Sequence, residues 1–386
     1  MATSSTALDD RVVNEIKRLC NAGLDQRTLL GEVVESLRHA IPFEAFCVSS
    51  TDPSSELVTF GAAEGLGGIR GMRLFFEHLY LETEINGYDG MSQRWSKPVR
   101  LLSEATGGHL ERSLRYRELT GPLGLGHEIR GACMAGRERW GGIELTRGKG
   151  DPDFSAREVR LLRRIVPHVG AGLRASSLLS QAPLAETNGD SGAAVLVLDQ
   201  QGKVLQHTDA AKGYLEELGD LGPGWQEDAD LPVAVWMVVG ALRRALEPRT
   251  DRDRARVPCL SVKARSGRWL TLQATLTEAT PGSPSQRMIV IEPTGPKQIA
   301  WLRAAAYGLS SREREIVDLV LRGASRKQIA ATLYISEYTV QDHLSNIFDK
   351  VGVRGREALI NRLFLDDLYP TLMSPELLET PAPQRA

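Results

Sequence analysis

The chain has 386 residues, enough for two or three separate cores, so a single small module is excluded. Apolar residues make up 42% and charged residues 25%, which excludes the disordered, collagen-like and membrane classes. Basic and acidic side chains number 47 and 49, a net charge of -2, so any affinity for nucleic acid must come from a local patch.

Helical patterns open the chain and end near His39. Strand-like runs follow at residues 43–49 and 57–61, and again at 128–134 and 140–146 with a glycine-rich turn between them. A further helix is predicted from Ser155, because Ser155 and Glu158 have the Ser-x-x-Glu spacing of a capping box. On that helix Val159, Leu162, Val166, Val169 and Leu173 are spaced 3, 4, 3, 4, the seam of a two-stranded coil, which predicts a homodimer held partly there. Packing of the same stripe on its own sheet is the alternative, and Pro167 inside the helix favours it by removing a backbone donor. Helices first and last around an antiparallel sheet resemble a GAF-type sensor domain over residues 1–180.

Gly/Pro/Ser-rich breaks at 176–192 and 281–296 divide the chain. Between them, runs at 194–198 and 203–207 with a turn from Asp199 to Gly202 predict a β-hairpin. Helical segments at 209–218 and 232–247 precede strand candidates at 256–264, 268–277 and 288–291. The most apolar segment, 231–242, has 12 residues and holds Pro232 near its start. It falls short of the roughly 20 residues that cross a bilayer, which makes it a core helix. The order strand, strand, helices, three strands resembles a PAS-type fold over residues 190–295.

The third region, from Leu309 to about Leu365, is helical in pattern. Ser310 with Glu313, and Ser325 with Gln328, have capping-box spacing. Gly323 stands where a first helix should stop, and Ser336 is an N-cap for the next. Along residues 337–350, Val340, Leu344, Ile347, Phe348 and Val351 form one apolar stripe. The opposite stripe reads Tyr338, Gln341, Asp342, Ser345 and Asp349. A helix of this width enters the major groove of B-DNA, where Gln, Asp and Ser have hydrogen-bonding partners on base edges.

The stretch from Leu309 through Glu313 to Glu315, then Gln328-Ile329-Ala330, Ile335-Ser336, Thr339-Val340-Gln341-Asp342-His343-Leu344 and Val353-Arg354-Gly355-Arg356, closely resembles the LuxR-type helix-turn-helix. The resemblance implies a four-helix DNA-binding domain of a bacterial transcription regulator, bound to DNA as a dimer, with residues 326–345 as the helix-turn-helix. By position it turns Gln341, Asp342 and Ser345 to the groove, where many family members carry lysine in place of Gln341 and Ser345. The first 300 residues resemble, less specifically, the GAF-like and PAS-like sensor halves of large actinobacterial regulators of this type. The expected architecture is therefore multidomain α+β: a GAF-like domain at 1–180, a PAS-like domain at 190–295, an all-α LuxR-type domain at 305–370, and a tail at 371–386.

Residues 309–364 carry nine Lys/Arg and seven Asp/Glu, and the groove stripe has no basic member. Phosphate contacts are accordingly expected from Arg326, Lys327, Lys350, Arg354 and Arg356, and further DNA contacts from Tyr338, Thr339, Gln341, Asp342 and Ser345. His343 lies between the stripes and is assigned to packing or a phosphate contact. The expected partners are double-stranded DNA and a second copy of the chain, with RNA polymerase and an unidentified small molecule as further partners the reading admits.

Other chemistry finds no support. Gly189-Asp190-Ser191-Gly192 resembles a serine-protease loop but breaks before the last glycine and lacks a histidine context. Gly148-Lys149 lacks the spacing of a phosphate loop. No histidine or cysteine grouping has metal-ligand spacing, and Cys20, Cys47, Cys133 and Cys259 lie far apart, as reduced thiols do. No catalytic residue, metal or cofactor is expected, although an enzyme fused to the DNA-binding module and a pure protein-interaction scaffold are the alternative readings. The first tryptophan is Trp95, against an acyl-homoserine-lactone receptor, and no apolar strand of the first region ends in the paired acids of a receiver domain. The opening residues lack a basic stretch followed by an apolar run, which predicts no secretory signal, no membrane anchoring and a cytoplasmic location.

Overall fold

The computed structural model describes residues 2–67, 85, 98–179, 193–218, 231–246, 258–279 and 284–365. Trp95, the stretch from Gly189 to Gly192 and the tail at 371–386 lie outside them.

Two helices open the chain, α1 (Ala2–Cys20) and α2 (Gln26–Arg38). Asp25 caps α2 by accepting from the amides of Arg27 and Thr28. There follow β1 (Ala45–Thr51), β2 (Val58–Glu64), β3 (Val99–Leu101), the short α3 (Leu102–Thr106), β4 (Leu125–Ala135), β5 (Glu138–Gly148) and α4 (Ala156–Leu179). The five strands form an antiparallel sheet of order β2-β1-β5-β4-β3. Its register sets Val48 opposite Ile143, and Ile143 opposite Gly131.

That face receives α4. A Cβ on Gly131 would stand 2.6 Å from Val166 Cγ1, and one on Gly141 would stand 2.5 Å from Leu173 Cδ1. Only glycine lets the helix lie this close to the strands. Leu162, Val166, Val169 and Leu173 are consequently 0% exposed within the single chain. This corrects the expectation of a dimer seam on α4: the 3, 4, 3, 4 stripe is an internal one, packed on β4 and β5. A heptad spacing marks an apolar face, and here the chain's own sheet covers it.

The alternate positions of the same strands face the other way and carry charge. Glu128, Arg130 and Glu144 of these positions are buried, as is Arg115 from the helical turn before β4. Arg130 Nε lies 3.0 Å from Glu128 and 3.1 Å from Glu144, and Arg115 lies 2.6 Å from Glu128 and 3.4 Å from Glu144. Each guanidinium thus touches both carboxylates in a ring of four.

A second antiparallel sheet follows, built from β6 (Ala194–Leu198), β7 (Val204–His207), β8 (Cys259–Lys263), β9 (Trp269–Leu276) and β10 (Arg287–Pro293), in the order β7-β6-β10-β9-β8. The predicted hairpin β6–β7 is present, its turn held by Asp199 Oδ1, which accepts from the amides of Gln201 and Lys203 at 2.8 Å. Two helices, α5 (Asp209–Leu218) and α6 (Val233–Ala245), interrupt the strands. Val235, Met237, Val238 and Val239 of α6 are fully buried. The two sheets belong to one compact unit with a shared apolar cluster, and Asp52 Oδ2, just after β1, accepts from the Ser261 amide of β8 at 3.2 Å.

The helical region forms a separate unit. It comprises α7 (Pro296–Ala306), α8 (Ser311–Leu321), α9 (Arg326–Leu333), α10 (Glu337–Val351), α11 (Arg356–Ile360) and a π-helical turn at Asn361–Leu365. Its own core gathers Leu309, Ile316, Val317, Val320, Ile329, Val340, Leu344, Ile347, Val351, Leu359 and Leu363. The chain is therefore α+β, the described residues forming two five-stranded antiparallel sheets followed by a helical domain.

Candidate nucleic-acid interface

Three successive caps set the helices of the third region. Ser310 Oγ accepts from the Glu313 amide at 3.3 Å while Glu313 accepts from the Ser310 amide at 2.6 Å. Ser325 and Gln328 repeat this exchange at 3.3 and 2.7 Å. At α10, Ser336 Oγ accepts from the Thr339 amide at 3.0 Å, and the two hydroxyls share a hydrogen bond of 2.8 Å. Thr339, expected at the DNA, is thereby part of the cap that starts α10.

The turn from α9 to α10 pivots on Tyr334, whose φ of 55° lies in the left-handed region. A non-glycine residue there costs about 1 to 2 kcal/mol, offset by its amide, which closes α9 onto Ala330 O. Arg312 Nη2 adds a hydrogen bond of 2.6 Å to Leu333 O at the same helix end. The Tyr334 side chain is 95% exposed.

Behind α10, Val340, Leu344, Ile347 and Val351 are buried against α8 and α9, with Phe348 half-buried beside them. In front, Tyr338, Gln341, Asp342, Ser345 and Asp349 are exposed. The far end of α10 is tied down by Lys350, whose Nζ lies 2.8 and 2.7 Å from the two carboxylate oxygens of Glu313. Burial alone would raise the Glu313 carboxyl, but Lys350 and the amide and hydroxyl of Ser310 outweigh it and hold the group below its ordinary 4.5. Arg356 Nη2 donates to Ala324 O at 2.6 Å, in the turn between α8 and α9.

The five cations singled out in the sequence thus divide. Arg326, Lys327, Lys350 and Arg354 are exposed and Arg356 is half-buried, but Lys350 and Arg356 each hold a partner inside the domain. Arg326, in the first turn of α9, also reaches across the turn: its Nη1 donates to Gln341 Oε1 at 2.8 Å. The structure brings together two residues that sequence reasoning had placed in different roles. Sequence reasoning missed Arg312 and Tyr334, and it read Glu313 only as a cap. Nothing periodic joins Glu313 to Lys350, which are 37 residues apart.

Elsewhere none of the four cysteines is in a disulfide. Burial pushes Cys20 up to about 11 and raises Cys47 and Cys133 well beyond their ordinary value, leaving them protonated at neutral pH. Among the described residues no grouping of His, Cys, Asp and Glu could hold a metal ion, and no helix is long and apolar enough to cross a membrane.

A capped supporting helix, a tight turn and a second helix with a buried back and a polar front define a helix-turn-helix, the device by which regulators lay a helix into the major groove. Residues 308–363 match the family model GerE, described as bacterial regulatory proteins of the luxR family. The chain is 43% identical over 61 residues to the spore germination protein GerE of Bacillus subtilis (strain 168), which covers 16% of this chain and 82% of that one. It is 47% identical over 64 residues to the monoamine regulon transcriptional regulator of Klebsiella aerogenes, covering 17% of this chain and 28% of that one. The chain belongs to the luxR family of bacterial regulatory proteins, and its helical domain is a LuxR-type DNA-binding domain. A solved structure of the phage VqmA-DPO complex is 21% identical and covers 48% of this chain and 86% of that one, with a TM-score of 0.24. A likeness that low carries no argument about this chain.

Proposed function

We propose that the chain binds operator DNA sequence-specifically as a homodimer through a domain spanning residues 305–370, and so regulates transcription. In this reading α10 lies in the major groove with Tyr338, Gln341, Asp342 and Ser345 toward the bases. Arg326, Lys327 and Arg354 neutralise phosphates, while Lys350, paired with Glu313, and Arg356, engaged with the Ala324 carbonyl, contribute less to phosphate binding. The sheet-bearing parts, read as GAF-like (1–180) and PAS-like (190–295), receive a signal or set the geometry of the dimer, with a small molecule or a protein as the input. The tail at 371–386 is assigned no role.

The observation that carries the reading is α10 itself, fixed by its buried back and its tie from Lys350 to Glu313, with a polar front left to solvent. A solvated surface helix shares the polar front, but family membership and the capped partner helix favour DNA. The test is enrichment of genomic fragments on the purified full chain, repeated with Gln341, Asp342 and Ser345 all changed to Ala. A defined site for the native chain, and its loss with residual non-specific binding in the variant, is expected. Enrichment of the same site by both proteins would overturn the assignment of that face.

A further inference from the structure

The contact between Arg326 and Gln341 decides which way a candidate base-reading amide faces. A guanidinium has only donors, so the Gln341 atom 2.8 Å from Arg326 Nη1 has to be the carbonyl oxygen. The contact thereby settles an amide orientation that geometry alone leaves open. With Oε1 engaged, the two N–H bonds of Nε2 form the end of the side chain that is left to meet a partner. Glutamine pairs bidentately with adenine by donating to N7 and accepting from the N6 amino group with its oxygen. Arg326 already takes one of that oxygen's two lone pairs, and its cationic guanidinium disfavours a second donor such as the adenine amino group beside it. Guanine instead presents two acceptors, N7 and O6, side by side in the major groove, and suits an amide offered as a donor.

We propose that Arg326 is a specificity-determining residue: by holding the Gln341 carbonyl it presents that side chain as a hydrogen-bond donor, so the pair reads guanine in preference to adenine. The inference rests on the assignment of α10 to the major groove. Both residues are exposed and belong to helices whose starts are fixed by the caps of Ser325 and Ser336, so the clasp spans two anchored positions. The guanidinium keeps further N–H donors for a neighbouring phosphate, which lets one residue serve affinity and selectivity together.

The test uses the full chain. A site is selected from a random duplex library, and every single-base variant of it is then titrated with the native protein, Arg326→Ala, Arg326→Lys and Gln341→Ala at several salt concentrations. The native protein is expected to favour guanine over adenine by about tenfold at one position of each half-site. Gln341→Ala should erase that discrimination. Arg326→Ala should free the amide oxygen and shift the same position toward adenine, while also reducing the salt slope by about 0.9. Arg326→Lys, which keeps a charge and a donor, should retain most of the guanine preference. A uniform loss in Arg326→Ala, with the guanine-to-adenine ratio intact at every position, would leave Arg326 a phosphate contact and overturn the proposal, as would a Gln341→Ala protein with unchanged preferences. Failure of the native protein to select any site would overturn the groove assignment itself.

Discussion

Lys350 on the last turn of α10 grips Glu313 in the first turn of α8, Nζ to Oε2 at 2.7 Å, and the same carboxylate closes the capping box with Ser310. One buried side chain thus fixes both the start of the domain's first capped helix and the end of its groove helix. Because its folded-state carboxyl is held below the ordinary 4.5, the stability it contributes is present above that value and is lost as pH falls through the lower, folded value. Glu313→Gln should therefore be less stable than the native domain at neutral pH and should show a flatter loss of stability as pH falls below 4.5. Urea unfolding across that range measures both. Equal pH dependence of the two proteins would place the acid-sensitive group elsewhere.

A related expectation concerns Glu158, which accepts from the amide and hydroxyl of Ser155 at 2.7 and 2.8 Å and from Arg147 at 2.5 Å. Burial opposes ionisation, yet these partners hold the carboxyl below its ordinary value. Glu158→Ala removes the capping-box acceptor and leaves Arg147, only 8% exposed, without its carboxylate. A loss of about 3 kcal/mol or more is expected, far above the roughly 1 kcal/mol of a cap alone. Denaturant titration of Glu158→Ala against Glu158→Gln separates the two contributions.

What the sequence made legible was local. The three capping boxes at Ser155, Ser310 and Ser325, the hairpin turn at Asp199 and the two stripes of α10 each lie within a few residues, and each is present. The three-residue strand β3 was not legible, since Val99–Leu101 is too short to show alternation. Nor was the ring of Arg115, Glu128, Arg130 and Glu144, because alternation assigns Glu128 and Arg130 to one face without saying that the face is buried. In the helical domain the groove face was readable from period alone, but the clasp of Arg326 on Gln341 depends on how the turn at Tyr334 folds α9 back toward α10.

The stripe on α4 gives a sharp mutational contrast. Val166 and Val169 are fully buried on the chain's own sheet, so replacing both with Glu should unfold the first sheet rather than release folded monomers. Gly131→Ala tests the same packing more gently, because its Cβ would meet Val166 Cγ1 at 2.6 Å and overpacking of this kind costs about 1 to 3 kcal/mol. Circular dichroism with light scattering reads the outcome. A Val166→Glu, Val169→Glu protein that stays folded at half the native mass would restore α4 as a dimer seam.

The charge ring on the opposite face should respond asymmetrically. Arg130→Met leaves Glu128 and Glu144 buried with one guanidinium fewer, and the penalty for breaking a buried ion pair in this way is about 3 to 5 kcal/mol. Glu128→Gln keeps the shape and a hydrogen-bonding oxygen, so its loss should be smaller. Chemical denaturation of the two variants orders them, and an Arg130→Met protein as stable as the native one would show that the ring contributes nothing net to the fold.

The division among the cations predicts which of them DNA binding will notice. Lys327 and Arg354 are exposed, and removing a side chain that neutralises one phosphate should lower the slope of log affinity against log salt by about 0.9. Lys350 and Arg356 are engaged with Glu313 and the Ala324 carbonyl, so their removal should act mainly through the domain's stability. Lys350→Ala would leave the buried Glu313 carboxylate without its cation, and Arg356→Ala would release a carbonyl at the turn between α8 and α9. Lys350→Ala removes a charge already paired with a carboxylate, and Arg356→Ala removes one whose Nη2 is turned inward to a carbonyl. Salt titrations on one duplex, run well below the unfolding temperature of every variant, should therefore give reduced slopes for Lys327→Ala and Arg354→Ala and near-native slopes for Lys350→Ala and Arg356→Ala. Thermal melts should show the reverse order. A reduced slope for Lys350→Ala in a protein that melts normally would mean that the lysine leaves Glu313 for the phosphate backbone when DNA binds, and the tie at the end of α10 would then be a contact of the free protein alone.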